Sequence, residues 1–429
     1  MGLFGIEKAV SSVTSFSGPR LNEVTRSEGK SKYAALLNLG CLLAGTGMLG
    51  LPVSLRQGGW IAVILIPLAA AFAVFCGRLQ VDCHYPRPDV RLETYGDVGK
   101  EAFGKPGKII VEIFSALVNL GSSILYVIFI GENFQRLSKD WGYDMNVKYW
   151  NIIAGVIVTL PVVLIKSLKE ATLLGLFGAL ASVVVVVISC ALAFIDLPNQ
   201  QSKEIVHVVV DWQGFPIALT TLAFAYGACV VYPHLEHSMR HPQQFSQVLI
   251  YGLATVATIY TFIASVGYAI YGHTVESPIY RNVPNGPAVI TAVIIITLHT
   301  IFVCPLFMCS FALDFEAGLG INEERHSKVT AWILRVSTRA FFGVLITVVA
   351  MYLPFFEHFM SFAGAISMSV LTFVIPIACH LKIFGFKGRS IFTYIIMVLC
   401  LILGIVCFIF GSIDSVKLLI EDFKRENGL

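Results

Sequence analysis

Charge is scarce in this sequence. Asp, Glu, Lys and Arg together make up 13% of its 429 residues, against about a quarter in an ordinary soluble domain. A chain this long with so few charges cannot clothe a soluble fold in a polar shell. Strand-period alternation is missing too, which excludes a membrane β-barrel with its ~10-residue alternating strands. There is no basic run of the kind that grips nucleic acid. No zinc motif, catalytic carboxylate pair or activated serine or cysteine arrangement lies in the apolar segments, so neither an enzyme nor a metal or organic cofactor is expected. The ten cysteines fall almost entirely inside apolar blocks, where they read as small packing residues rather than disulfides. No Asn-x-Ser/Thr sequon occurs to mark an outward-facing loop. The first 32 residues are polar and carry no apolar core of a cleavable signal peptide; the first spanning helix is expected to target the chain.

What the sequence does have is apolar residues, 56% of the total, gathered in long blocks. A spanning helix needs roughly 20 such residues to cross ~30 Å of hydrocarbon. Its backbone must be satisfied within the segment. The blocks predict about eleven spans, at 33–56, 58–83, 108–132, 150–165, 170–195, 213–235, 246–271, 287–312, 333–354, 358–381 and 390–415. The domain organisation is then a tail at 1–32, a transmembrane domain at 33–415 and a short tail at 416–429. With the N-terminus in the cytosol, 18 Lys and Arg fall on inward segments and 9 on outward ones, the bias expected of cytosolic loops. The same count leaves the C-terminus outside or in a lumen. Arg91–Lys108, the longest inner loop, carries an amphipathic helical pattern and is expected on the membrane surface.

Two spans share an irregularity. The first contains Gly45, Thr46, Gly47 and Met48, with Pro52 downstream; the sixth contains Phe224, Ala225, Tyr226 and Gly227, with Pro233 downstream. Glycine weakens a helix and proline removes a donor. Five spans apart, the two run in opposite directions, as in an inverted repeat of 33–195 against 213–381, with 390–415 as an extra helix. Gly45, Gly47 and Gly50 also spell G-x-G-x-x-G, but no strand precedes them and no acid follows before Asp82, so a nucleotide fold does not fit. Glycines placed for close helix packing remain an alternative to an unwound binding stretch.

A broken helix exposes N–H groups at one half and carbonyls at the other. A zwitterion carries both charges such a break attracts, and no buried charged side chain is needed to hold it. Thr46 adds a hydroxyl; Tyr126 and Tyr226 are candidates for the side-chain end of the pocket. His299, mid-span between Thr297 and Thr300, is the candidate proton site, since imidazole titrates near neutral pH; a neutral histidine bonded to a neighbouring helix is the competing reading. Asn38 and Thr300 are candidates for ion coupling, Glu132 and Glu236 for gating. Asp314 and Glu316 are expected at the interface, in water.

Several stretches resemble the eukaryotic amino acid/auxin permease family: NLGCLLAGTGMLGLPVSLRQGGW in the first span, TYGDVGKEAFG before the third, and FAYGACVVYPHLEHSMRHPQQFSQVL through the sixth. SILYVIFIGENF and the pattern around Gly411-Ser412 resemble its vesicular inhibitory and vacuolar branch. The resemblance implies an all-α polytopic membrane protein with a LeuT-like 5+5 inverted repeat, helices 1 and 6 broken, plus an eleventh helix. It also implies proton-linked transport of small neutral amino acids, with a vacuolar, lysosomal or vesicle membrane preferred over the plasma membrane. Two positions depart from the pattern. Proton-coupled animal members often carry histidine where Asn38 stands, and vesicular and plant-type members carry lysine near His299. The coupling ion, proton ahead of sodium, stays open here, as does a sensor of the same fold that binds with little flux. The partners expected are the amino acid and the lipid bilayer, with no nucleic acid, and the carrier is expected to act as a monomer.

Overall fold

The computed structural model describes residues 25–27, 29–87, 90–164, 172–200, 204–321, 325–353, 355–386 and 388–427. Among them the regular structure is helical. Its isolated bridges are Lys30 with Met239 and Arg87 with Val90. In chain order the helices are α1 (Lys32–Leu43), α2 (Thr46–Gly58), α3 (Ala62–Cys83), α4 (Tyr95–Asp140), α5 (Val147–Leu164), α6 (Thr172–Gln200), α7 (Phe215–Ala225), α8 (Tyr232–His237), α9 (Phe245–Tyr271), α10 (Pro287–Leu319), α11 (Lys328–Tyr352), α12 (Phe356–Ala363), α13 (Ile375–Phe384), α14 (Ile391–Val406) and α15 (Ser412–Asn427). Among the described residues ten helical segments are long and apolar enough to cross a membrane, or eleven when α1 and α2 count as one bent span.

Side chains such as Ile64, Ile110, Val187, Val344 and Ile402 remain exposed on the outside of the bundle, as lipid requires. Small and aromatic residues of α1, α3, α4, α9 and α10 fill the interior. The second, fourth and seventh spans lie close to their predicted positions. The limits predicted for the end of the fourth and the start of the fifth, between 165 and 171, fall outside the described residues.

The surface piece and the third span fall as expected, and two departures follow. α4 is two helices across a kink, a first piece from Tyr95 and the span beyond Gly104, close to the start expected at 108. Thr94 and Asp97 form a reciprocal capping box at its start, and Gly104, at φ 70°, leaves helical geometry where the first piece turns into the span. The last span does not stop at 415: a π-turn at Cys407–Gly411 passes it into α15. Glu316 is not solvated. It is 4% exposed, and Arg339 donates to it through Nε at 2.7 Å and Nη2 at 3.2 Å, while Nη1 reaches the Val162 carbonyl at 2.8 Å. The partner stands 23 residues away on another span, where no local pattern announces it. Asp314, by contrast, is exposed as expected.

A buried pair of this kind punishes loss of one partner more than loss of both. Glu316→Leu strands the guanidinium and is expected to cost about 3–5 kcal/mol. Glu316→Leu combined with Arg339→Met removes the buried pair, leaves only the more exposed Arg335 of the group, and loses far less. Thermal midpoints of the detergent-solubilised single and double variants measure the difference.

Candidate functional site

The first and sixth spans are both broken. Between α1 and α2 the chain leaves helical geometry at Ala44 and Gly45, and the two halves are bent by 53°. Gly47 lies just beyond the break, in the first turn of α2, and Pro52 sits inside that helix rather than at the interruption. In the sixth span α7 ends at Ala225, Tyr226–Ala228 are non-helical, and a 3₁₀ turn at Cys229–Val231 leads into α8. Pro233 occupies the opening turn of α8, where its missing N–H has no partner to lose.

The breaks face each other. α2 packs along α7, and a β-carbon on Gly47 would lie 3.4 Å from the Ala225 Cα. A small cavity opens where they meet, lined from the two breaks by Leu42, Leu43, Gly47, Phe224, Ala225, Gly227 and Ala228. Ser122 and Tyr126 of α4, Phe307 of α10 and Met368 of the tenth span complete the wall. Its volume of about 20 Å³ has room for a single water. Anything larger requires the spans to move apart.

Apart from the Ser122 and Tyr126 hydroxyls, the polar groups around the cavity belong to the backbone. α2 begins at Gly45 with no side-chain cap, so its first-turn N–H groups and positive dipole end are left for another partner. The carbonyl ends of α1 and α7 point the opposite charge the same way. Tyr260 of α9, fully buried, donates its hydroxyl to the Leu43 carbonyl at 2.5 Å and reaches the Ala225 carbonyl at 3.1 Å. No charged side chain lines the cavity.

His299 lies beside the first break. A β-carbon on Gly45 would stand 3.4 Å from its Nε2 and 3.6 Å from the Tyr126 hydroxyl oxygen; one on Gly178 of α6 would come within 2.6 Å of its Nδ1. Two glycines thus make room for the ring, and neither ring nitrogen has a hydrogen-bond partner among the described residues. The structure brings His299, Tyr126, Gly45, Gly47, Phe224, Ala225 and Gly227 together. Other candidates lie apart from the cavity wall. Met48 is buried in the packing of α2. Tyr226 packs its ring against Tyr260, centroids 5.3 Å apart. Asn38 is partly exposed on α1. Thr300 donates to its own helix at the Ile296 carbonyl, 2.7 Å. The side chain of Thr46 lies outside the described residues.

The two carboxylates named from sequence mark opposite faces. Glu236, 1% exposed, accepts from Arg91 at 3.0 and 3.2 Å, from Arg26 at 3.4 Å and from the Tyr85 hydroxyl at 2.5 Å. Burial, and after it the neighbouring carboxylate, pushes the Tyr85 phenol up to about 12. Burial likewise draws His84 down to about 4, so it stays neutral beside this cluster. Arg26 belongs to a strap that runs along residues 236–240, with backbone bonds Arg26 N–H to Arg240 O, Arg240 N–H to Lys30 O and Lys30 N–H to Ser238 O. At the far face Glu132 pairs with Arg281 at 2.6 Å, which holds that guanidinium above its ordinary range. Arg56 pairs with Glu357 nearby. Tyr280 donates to Asn133 at 2.5 Å, and Asn133 to Thr297 at 2.9 Å. Sequence reading missed Tyr260 and all the cationic partners. For Tyr260 the available signal was a hydroxyl in mid-span.

A family model described as transmembrane amino acid transporter protein matches residues 28–417. Two Arabidopsis thaliana proteins are similar over most of their length. Amino acid transporter AVT1I is 31% identical over 353 residues, 80% of this chain and 84% of that one. Amino acid transporter AVT1J is 30% identical over 386 residues, 87% of this chain and 88% of that one. Among solved structures, MhsT in complex with L-phenylalanine superposes with a TM-score of 0.54 at 14% identity, covering 92% of this chain and 99% of that one. Mhp1, a nucleobase-cation-symport-1 family transporter, gives 0.54 at 12% identity, covering 95% and 96%. These two likenesses establish the fold.

All ten cysteines are buried, so a water-soluble maleimide has little to react with while the faces are closed. Glu236→Gln removes the charge that Arg26 and Arg91 share. Labelling of Cys229, inside the sixth-span break, is expected to rise about tenfold or more as local opening becomes easier, read by mass spectrometry of the labelled peptides. Unchanged labelling shows that the cluster does not hold this face shut.

Proposed function

This chain belongs to the transmembrane amino acid transporter family, and from that premise we propose that it is a secondary active carrier of small neutral amino acids, proton-coupled and working by alternating access. The observation that carries the reading is the convergence of three backbone ends on one cavity. The N-terminal end of α2 suits a carboxylate, and the Leu43 and Ala225 carbonyls suit an ammonium. A substrate with both on one carbon bridges the two breaks. Its side chain then faces Tyr126, Phe307, Met368 and Phe224, apolar and aromatic surfaces with no charge to meet a charged side chain; hence the preference for neutral substrates.

His299 supplies the coupling proton site. It sits against the break that the substrate straddles, its ring nitrogens have no protein partner among the described residues, and histidine is the side chain whose charge changes near physiological pH. Sodium is the weaker candidate, because Asn38 is partly exposed and away from the cavity and the Thr300 hydroxyl is engaged by its own helix. The ion pairs of Glu236 on one face and Glu132 on the other act as the alternating closures. A cytosolic N-terminus, on the Lys/Arg asymmetry, and a vacuolar, lysosomal or vesicle membrane complete the proposal.

The test is uptake of labelled neutral amino acids into proteoliposomes at several pH gradients, with sodium replaced by choline. Accumulation is expected to follow the proton gradient and ignore sodium. Uptake indifferent to both gradients defeats the coupling claim, and saturable binding without flux identifies a sensor. In His299→Gln, accumulation against a gradient is expected to fall about tenfold or more, because coupling depends on the titrating group. Downhill efflux persists. Equal loss of both assigns the histidine to packing.

A further inference from the structure

We propose that the Tyr260 hydroxyl is a built-in stand-in for the substrate's amine, which lets the empty carrier change conformation; the inference rests on the carrier reading above. A carbonyl oxygen freed by a helix break has no bulk water to turn to at mid-membrane, and an unsatisfied one there costs several kcal/mol. Two that face each other here are Leu43 at the end of α1 and Ala225 at the end of α7. One hydroxyl reaches both, at 2.5 and 3.1 Å. The phenol comes from a third span, α9, is fully buried, and is steadied by the Tyr226 ring.

The donor arithmetic matches the role. Two carbonyls present four lone pairs; a phenol brings one proton and a primary ammonium brings three. The hydroxyl alone covers the minimum, one proton shared between two acceptors. With the amine present every acceptor site has a donor. The loaded carrier therefore does not depend on Tyr260 to satisfy these carbonyls, whereas the empty one does. A carrier that must return empty has to rearrange its two breaks with both carbonyls out of water. Removing the hydroxyl raises the cost of that step and leaves the loaded step largely as it was.

The experiment compares wild type, Tyr260→Phe and a control, Tyr251→Phe, which lies on the partly exposed side of the same helix. Proteoliposomes are loaded with labelled L-alanine, L-leucine or L-phenylalanine. Efflux is measured into substrate-free medium, which requires the empty return, and into medium holding the unlabelled amino acid, which does not. Neither arm uses an ion gradient. In Tyr260→Phe, net efflux is expected to fall about tenfold while exchange stays within about threefold of wild type, the scale set by losing one buried hydrogen bond. Tyr260→His, which keeps a ring and a donor, recovers part of the net flux. Tyr251→Phe behaves as wild type. Equal loss of exchange and net efflux in monodisperse Tyr260→Phe protein, or no loss of either, overturns the proposal. If wild type moves none of the three amino acids in either arm, the carrier reading fails first and takes this one with it.

Discussion

Hydrocarbon gives a peptide group nowhere to go. An N–H or C=O that leaves the helical ladder inside a bilayer must find a protein partner or keep its desolvation cost. That constraint explains why spans are normally unbroken, and why two interruptions meeting at one point carry so much of this molecule's organisation. Everything near the breaks serves them. Tyr260 takes the carbonyls, α2 presents its uncapped N–H end, and glycines at 45, 47 and 227 keep side chains out of the space between. The cavity is small because a dry gap lined by peptide groups costs more the wider it stands without a ligand.

Charge follows the same economy of placement. Four carboxylates matter to the architecture, and each is matched by arginine: Glu236 with Arg26 and Arg91, Glu132 with Arg281, Glu357 with Arg56, and Glu316 with Arg335 and Arg339. Three of these groups sit toward the ends of spans and tie elements that are distant in sequence. None reaches the cavity wall, which is left to backbone, apolar and aromatic side chains and the hydroxyls of Ser122 and Tyr126. A zwitterion then finds its two charges answered by dipoles, not by fixed ions that would hold it too firmly to release.

Much of this was legible in the sequence, for identifiable reasons. Block hydrophobicity located the spans because length and composition dominate insertion energetics. Gly45–Gly47 with Pro52, and Gly227 with Pro233, located the two interruptions, because glycine and proline act on the backbone locally. The exact place of the first break was not legible: the chain leaves the helix at Ala44–Gly45 while Gly47 and Pro52 stay within α2. The neighbours pressing on that segment decide the point, and they lie in other spans. Cross-span partners were invisible for the same cause. Nothing around Glu316 points to Arg339, and nothing around position 260 separates a bonding tyrosine from a packing one. The continuation of the last span into α15 was hidden by a polar composition that reads as a tail.

The strap at residues 26–30 is hydrogen-bonded to 236–240, so the start of α1 is stitched to the end of α8. On the other side of the breaks α2 lies packed along α7. The four half-helices therefore form two cross-linked bodies, each taking one piece from either repeat, joined through the hinges at 44–45 and 226–228 and bridged by the Tyr260 hydroxyl. Neither hinge turns alone, because swinging α1 drags α8 with it. The chain that begins the membrane domain thus acts as a tie-rod, converting two separate flexures into one lever with a single fulcrum at the cavity.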